Sequence, residues 1–162
     1  CHNEYLKKSD WRLKAFTDER GGKPIYGLEK LKNNSPVLIV EGEKTADKAS
    51  ILFPEYSVIS WLGGTGNVDK VNWDILDGKE VIIWPDFDEP GIKAARIIAN
   101  KISLKDLSKV SIVDVENLYL PAKWDLGDEL PAGLDIKEAI LITHEKNFDH
   151  IKKYDEFTRD IY

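Results

Sequence analysis

Val37-Leu38-Ile39-Val40-Glu41-Gly42-Glu43-Lys44 and Val81-Ile82-Ile83-Trp84-Pro85-Asp86-Phe87-Asp88-Glu89-Pro90-Gly91 together decide how this chain folds. Each opens with four apolar residues bounded by turn formers or charges, the pattern of a short buried strand. Each then runs into acids and a glycine. Carboxylates at the C-terminal tips of parallel strands sit where open α/β sheets bind their ligands. Glu41, Asp86 and Asp88 on two neighbouring tips repel one another, and a divalent cation between them would relieve that repulsion. Magnesium takes hard oxygen ligands, typically one or two carboxylates with waters and phosphate oxygens.

The segments around these two runs alternate between strand and helix patterns. Lys44 to Leu52 reads as a helix that Pro54 ends, with Ala46, Ala49, Ile51 and Leu52 available for its inner face. Tyr56 to Trp61 reads as a second strand, Gly63-Gly64-Thr65-Gly66 as a flexible loop, and Val68 to Leu76 as containing a short helix. Glu80 to Trp84 is the third strand. Glu89 to Ile102 is the clearest helix, with Ile92, Ala95, Arg96, Ala99 and Ile102 at 3–4 spacing and Ile97 and Ile98 widening the stripe. Lys109 to Val113 is the fourth strand. This order predicts a four-stranded, mainly parallel sheet with helices on both faces. Upstream, Trp11 to Phe16 and Lys23 to Leu28 read as a hairpin about Gly21-Gly22, with a helical turn near Glu29 to Lys32. Downstream, helices are expected near Asp135–Thr143 and Asn147–Arg159. The expected organisation is a lead-in over 1–35, an α/β domain over 36–130 and a helical extension over 131–162.

The chain has 162 residues, of which 42% are hydrophobic and 32% charged, as suits one globular domain. No apolar run approaches the roughly 20 residues of a membrane span, and no basic-then-apolar leader opens it. One cysteine, Cys1, allows no internal disulfide, and a cytoplasmic setting is expected. The chain opens on Cys1-His2 and contains no methionine, so it is expected to be a piece of a longer protein or a processed product. Cys1-His2 is either a remnant of an upstream metal-binding segment or an arbitrary cut point. A net charge of −6 argues against this piece alone gripping a long nucleic acid by its phosphates. A bound cation would offset the local acidic charge of a metal-dependent site.

Val37 to Asp47, Trp84 to Gly91 and Lys123-Trp124-Asp125-Leu126-Gly127-Asp128-Glu129 resemble, in order, the three motifs of the Toprim domain. That domain is shared by primases, topoisomerases, certain nucleases and a recombination mediator. The form EGEK…WPDxDEPG…WDLxD is similar to the branch found in primases and primase-helicases of phages, plasmids and other mobile elements. The resemblance covers roughly Pro36 to Leu130 and implies a Toprim, Rossmann-like fold. It also implies magnesium- or manganese-dependent nucleotidyl transfer in primer synthesis for DNA replication. The partners it implies are a single-stranded DNA template and nucleoside triphosphates. Upstream zinc-binding or primase domains and a downstream helicase domain are implied too, and no membrane.

By that resemblance Glu41 is a catalytic general acid/base or metal ligand, Asp86 and Asp88 are catalytic metal ligands, and Asp125 and Asp128, the acids of the third motif, are further metal ligands. For each there is a plainer reading from the residues alone. Glu41 suits the positive end of a helix dipole, Asp86 and Asp88 suit an Asx turn or helix cap, and Asp125 and Asp128 suit a surface loop. Gly42 lets the chain turn sharply and leaves room for a phosphate or metal-bound water. Lys44 either contacts a nucleotide phosphate or pairs along its helix. Gly63 and Gly64 either cradle a phosphate with backbone N–H groups or simply connect. Trp61, Trp73, Trp84 and Trp124 either stack bases or pack the core. His144 and His150 are not expected to be ligands. One departure is Thr45, which stands where many Toprim proteins carry an aspartate, so full two-metal chemistry is less expected here.

Three other functions compete. A Toprim nuclease would cleave DNA with manganese. A Toprim module without turnover would bind nucleotide or DNA only. A haloacid-dehalogenase-like phosphatase also uses DxD after a strand, but here Pro90 occupies a place where that family often has threonine or valine. Topoisomerase activity would need a nucleophilic tyrosine from domains this chain has no length to contain.

Overall fold

The structure, a computed structural model, describes residues 22–32, 34–103, 110–140 and 143. Its centre is a five-stranded sheet. In chain order the strands are β1 (Ile25–Tyr26), β2 (Val37–Glu41), β3 (Ser57–Trp61), β4 (Val81–Trp84) and β5 (Val110–Ile112). They lie side by side as β1-β3-β2-β4-β5. Every pairing is parallel except that of β1, which runs antiparallel to β3 along the edge. The sheet therefore has one strand more than the sequence reading allowed. Ile25–Tyr26 pairs with Trp61 and Ser60 of the central sheet. Its expected hairpin partner, Trp11 to Phe16, lies outside the described residues.

Val37, Leu38 and Ile39 are fully buried and Val40 nearly so. A parallel strand covered on both faces has no solvent side, which is why β2 and β4 read as continuous apolar runs rather than alternating ones. Alternation reappears in what each residue touches. Leu38, Val40, Val58, Ile82 and Trp84 face one core, with Ala46, Ala49 and Phe53. Val37, Ile39, Ile59, Val81 and Ile83 face a second core, with Ala94, Ala95 and Ile98. The helices α1 (Glu43–Leu52) and α2 (Glu89–Ser103) thus cover opposite faces. Burying one such aliphatic side chain stabilises the fold by about 1.5–3 kcal/mol.

Two expected helix faces shift. In α1 the buried residues are Thr45, Ala46 and Ala49, while Ile51 is 79% exposed. In α2, Ala94, Ala95, Ile98 and Ile102 are buried and Arg96 is exposed. The expected short helix between Val68 and Leu76 is two 3-10 turns, Thr65–Lys70 and Trp73–Leu76. The turn expected near Glu29 is a 3-10 turn over Leu28–Lys30. Helix is present over 136–140, packing Ile136, Ala139 and Ile140 onto the first core. The expected helix at Asn147–Arg159, with His144 and His150, lies outside the described residues. No helix among the described residues is long and apolar enough to cross a membrane.

The sheet order fixes where a ligand has room. From β2 the chain crosses by α1 to β3 on one side, and then β4 begins on the other side of β2. The order reverses between β2 and β4. Crevices at the carboxyl ends of strands form at such a reversal, and Glu41 and Asp86 leave the sheet there.

Candidate functional site

Glu41 is the last residue of β2, paired in register with Trp61 of β3. Val40 is the partner of Trp84, the last residue of β4. Asp86 follows Trp84 by Pro85, so it stands just beyond the tip that neighbours Glu41. Gly42 turns the chain from β2 into α1 with φ +83° and ψ 150°, a region open essentially to glycine alone. Gly91 has a different task. A Cβ there would lie 2.8 Å from the Asp86 carbonyl oxygen and 3.0 Å from its Cβ. Glycine therefore lets the first turn of α2 lie directly on the Asp86 backbone.

The carboxylates act on one another. Burial first, then the charges of Glu41, Asp125, Asp88 and Asp128, push the Asp86 carboxyl up to about 8. Burial also raises the Glu41 carboxyl, with Asp88 and Asp125 adding to it. A hydrogen bond donated by the Thr65 backbone N–H to Glu41 works in the opposite direction. All five acids singled out in the sequence therefore belong to one electrostatic cluster.

Three of them also hold local structure. The Asp88 carboxylate accepts from the Gly91 N–H at 2.7 Å, capping α2. Asp125 Oδ1 accepts from the Thr45 hydroxyl at 3.1 Å and from the Gly127 N–H. Asp128 Oδ2 accepts from the Asp125 N–H at 3.2 Å. The plainer readings, cap and loop, are thus realised, each using one oxygen of a carboxylate that has two. Among the described residues, no three His, Cys, Asp or Glu side chains are arranged together to hold a metal ion. In donor chemistry the cluster still fits magnesium or manganese. It offers hard oxygens whose mutual repulsion a dication would remove.

The glycine loop leans on Glu41. Gly63 and Gly64 have φ of +91° and +71°. The Gly63 carbonyl accepts from Asn67 Nδ2 at 2.6 Å, and the Gly64 carbonyl accepts from Trp61 Nε1 at 2.9 Å and from the Asn67 N–H at 3.0 Å. The loop is thus closed on itself, and its Thr65 N–H goes to a carboxylate. Lys44 is exposed, and Asp47 takes Tyr26 and Lys30 as its partners. Trp61, Trp73, Trp84 and Trp124 are all under 5% exposed, so their packing reading holds. Two open grooves flank the start of α2. One, of about 460 Å³, lies between Thr65, Asp69 and Lys93, and the other, of about 520 Å³, lies beside Phe87, Asp88 and Arg96. Sequence reasoning missed Thr65, which acts through its backbone and so leaves no signal in residue type. It also missed Lys48, whose ammonium donates to the carbonyls of Gly127 and Asp128.

A family model described as a domain of unknown function, DUF6371, matches residues 2–87, just over half of the chain. That span contains Glu41 and Asp86 and stops short of Asp88, Asp125 and Asp128. No curated protein matches. Among solved structures, the primase fragment of the bacteriophage T7 primase-helicase protein is similar at 25% identity with a TM-score of 0.46. The match covers 74% of this chain and 44% of that one. The chain thus spans less than half the length of the solved protein it resembles.

Proposed function

The chain belongs to the DUF6371 family, and we propose that it performs magnesium- or manganese-dependent nucleotidyl transfer of the Toprim primase type, as part of a larger protein. The observation that carries this reading is the Asp86 carboxyl, pushed up to about 8 by burial and four other acids at the reversal point of the sheet. Such a cluster is costly without a counter-ion. Its three motifs in order supply the substrate class.

In this reading Asp86 and Asp88 would hold the cation, Asp88 through the oxygen not used in capping α2, and Glu41 would either ligate the same cation or serve as the base. The cation, when bound, supplies neutralisation of charge on the phosphoryl oxygens. Glu41 lies at the end of a rigid buried strand and is oriented by the Thr65 N–H. As the base it would take the proton of an attacking 3′-hydroxyl. Asp125 and Asp128 complete the acidic ring from the loop after β5. The grooves beside α2 have the volume of nucleotide-sized sites. The template would be held by other domains, since this chain is acidic.

A module that binds nucleotide or DNA without turnover is the second reading. One observation favours it: Asp88, Asp125 and Asp128 are each engaged in local hydrogen bonds, and among the described residues no three His, Cys, Asp or Glu side chains are arranged together to hold a metal ion. Template-directed nucleotide incorporation by the full-length protein decides between the two. Incorporation that requires manganese or magnesium and disappears in Asp88→Asn supports transfer. Full activity in the asparagine protein refutes it, and tight nucleotide binding without product favours the module.

A further inference from the structure

The loop that carries Asp125 and Asp128 is tied at its start to the turn between Asp86 and Asp88, where the Phe87 N–H donates to the Trp124 carbonyl at 2.9 Å and the Phe87 carbonyl accepts from the Lys123 N–H at 3.0 Å. Beyond that point it is held by α1. Thr45, in the first turn of α1 and 7% exposed, donates its hydroxyl to Asp125 Oδ1 at 3.1 Å. One turn on, Lys48 donates its ammonium to the Gly127 carbonyl at 3.2 Å and to the Asp128 carbonyl. The fit is close. A Cβ on Gly127 would lie 2.6 Å from Asp125 Oδ1 and 3.1 Å from Thr45 Oγ1. The same α1 starts directly after Glu41, through the glycine-only turn at Gly42.

We propose that Thr45 and Lys48 are positioning residues that fix the Asp125–Asp128 loop relative to Glu41, so that one helix sets the spacing between two parts of the acidic cluster. Thr45 does this with a neutral hydroxyl. It orients a carboxylate without adding another negative charge to the acidic cluster. Lys48 brings a positive charge to the loop that carries two of the acids. Hydrogen-bond partners of ligating carboxylates commonly change metal affinity by about 10–100-fold when removed. The inference rests on the cation-binding reading above.

The experiment compares wild type, Thr45→Val, Thr45→Ser and Lys48→Met by two readouts. Amide hydrogen exchange at residues 125–128 is followed without metal, and manganese affinity is followed by electron paramagnetic resonance. Valine keeps the branched shape of Thr45 and removes only the hydroxyl. Methionine keeps most of the reach of Lys48 and removes the charge. The expected result is faster exchange of the 125–128 amides in Thr45→Val and Lys48→Met while the β2 and β4 amides are unchanged. Manganese affinity should fall about tenfold, and Thr45→Ser should restore both. If one of the two variants fails to fold, the other still decides. Wild-type exchange and wild-type affinity in both variants would overturn the proposal. Absence of manganese binding in the wild type would instead count against the cation-binding reading, and the exchange result would still decide whether α1 holds the loop.

Discussion

The Glu41 carboxylate pushes the Asp86 carboxyl upward across the gap between β2 and β4. The two residues leave adjacent strands at the point where the sheet order reverses. Burial is the largest cause of that rise, Glu41 is the strongest of the charges, and Asp125, Asp88 and Asp128 add to it. The consequence is a site whose folded form prefers a proton, or another positive charge, among its acids.

That preference has a sign in pH. The folded value for Asp86 is about 8, above its ordinary 3.8. A raised folded value stabilises the protein fully below the ordinary value, and that stabilisation is lost as pH rises through the folded one. Without metal, thermal stability should therefore fall between about pH 4 and pH 8. Asp86→Asn should flatten this decline and be the more stable protein at pH 8 by on the order of 1–2 kcal/mol, allowing for solvent screening of a half-buried group. Melting curves in chelator across that range check it, and an undiminished slope in Asp86→Asn would contradict it.

Gly91→Ala should be far more damaging than an exposed helix substitution. A methyl group would press on the Asp86 backbone, 2.8 Å from its carbonyl oxygen. A cost of about 1–3 kcal/mol is expected, as for overpacking, with loss of metal response because Asp86 must move. Denaturant melts with and without manganese measure both effects.

Gly42→Ala tests the turn instead of the packing. The nearest atom to a Cβ there is Thr45 Oγ1 at 4.0 Å, so there is space. The cost comes from φ +83° and should be about 1–3 kcal/mol. A neutral result in urea unfolding would show that the turn into α1 adjusts freely.

Two buried polar atoms flank Val40 in register. The Ser60 hydroxyl and the Trp84 indole N–H have no hydrogen-bond partner among the described residues. Removing an unpaired buried hydroxyl is neutral or favourable. Ser60→Ala should therefore match or exceed wild-type stability. A loss above about 1 kcal/mol would instead point to a buried water serving that hydroxyl.

Much of this was legible in the sequence. The continuous apolar runs at Val37–Val40 and Val81–Trp84 became fully buried parallel strands because helices cover both faces. The place of Glu41, Asp86 and Asp88 followed from those strands. The pairing of Ile25–Tyr26 with β3 is not legible in the sequence, because two residues carry too little pattern to name a partner. The spacing of Ile51 suits the inner apolar stripe of α1, yet the residue is exposed. The short inner face of α1 is instead filled by Thr45, Ala46 and Ala49, where small side chains let the helix sit close to the sheet. The contacts of Thr45, Lys48 and Thr65 join segments distant in the chain or use backbone groups, and neither kind of contact is written in residue type.

The central claim is that a cation binds at the tips of β2 and β4, and manganese titration followed by thermal unfolding tests it most directly. Wild type is compared with Asp86→Asn/Asp88→Asn, in which asparagine at 88 still offers an oxygen to cap α2. A ligand that binds only the folded state stabilises by about 2.7 kcal/mol at a hundredfold excess over Kd. The account predicts a concentration-dependent rise in melting temperature for the wild type that the double variant lacks. An equal rise in both proteins, or none in the wild type even with nucleotide present, would contradict it.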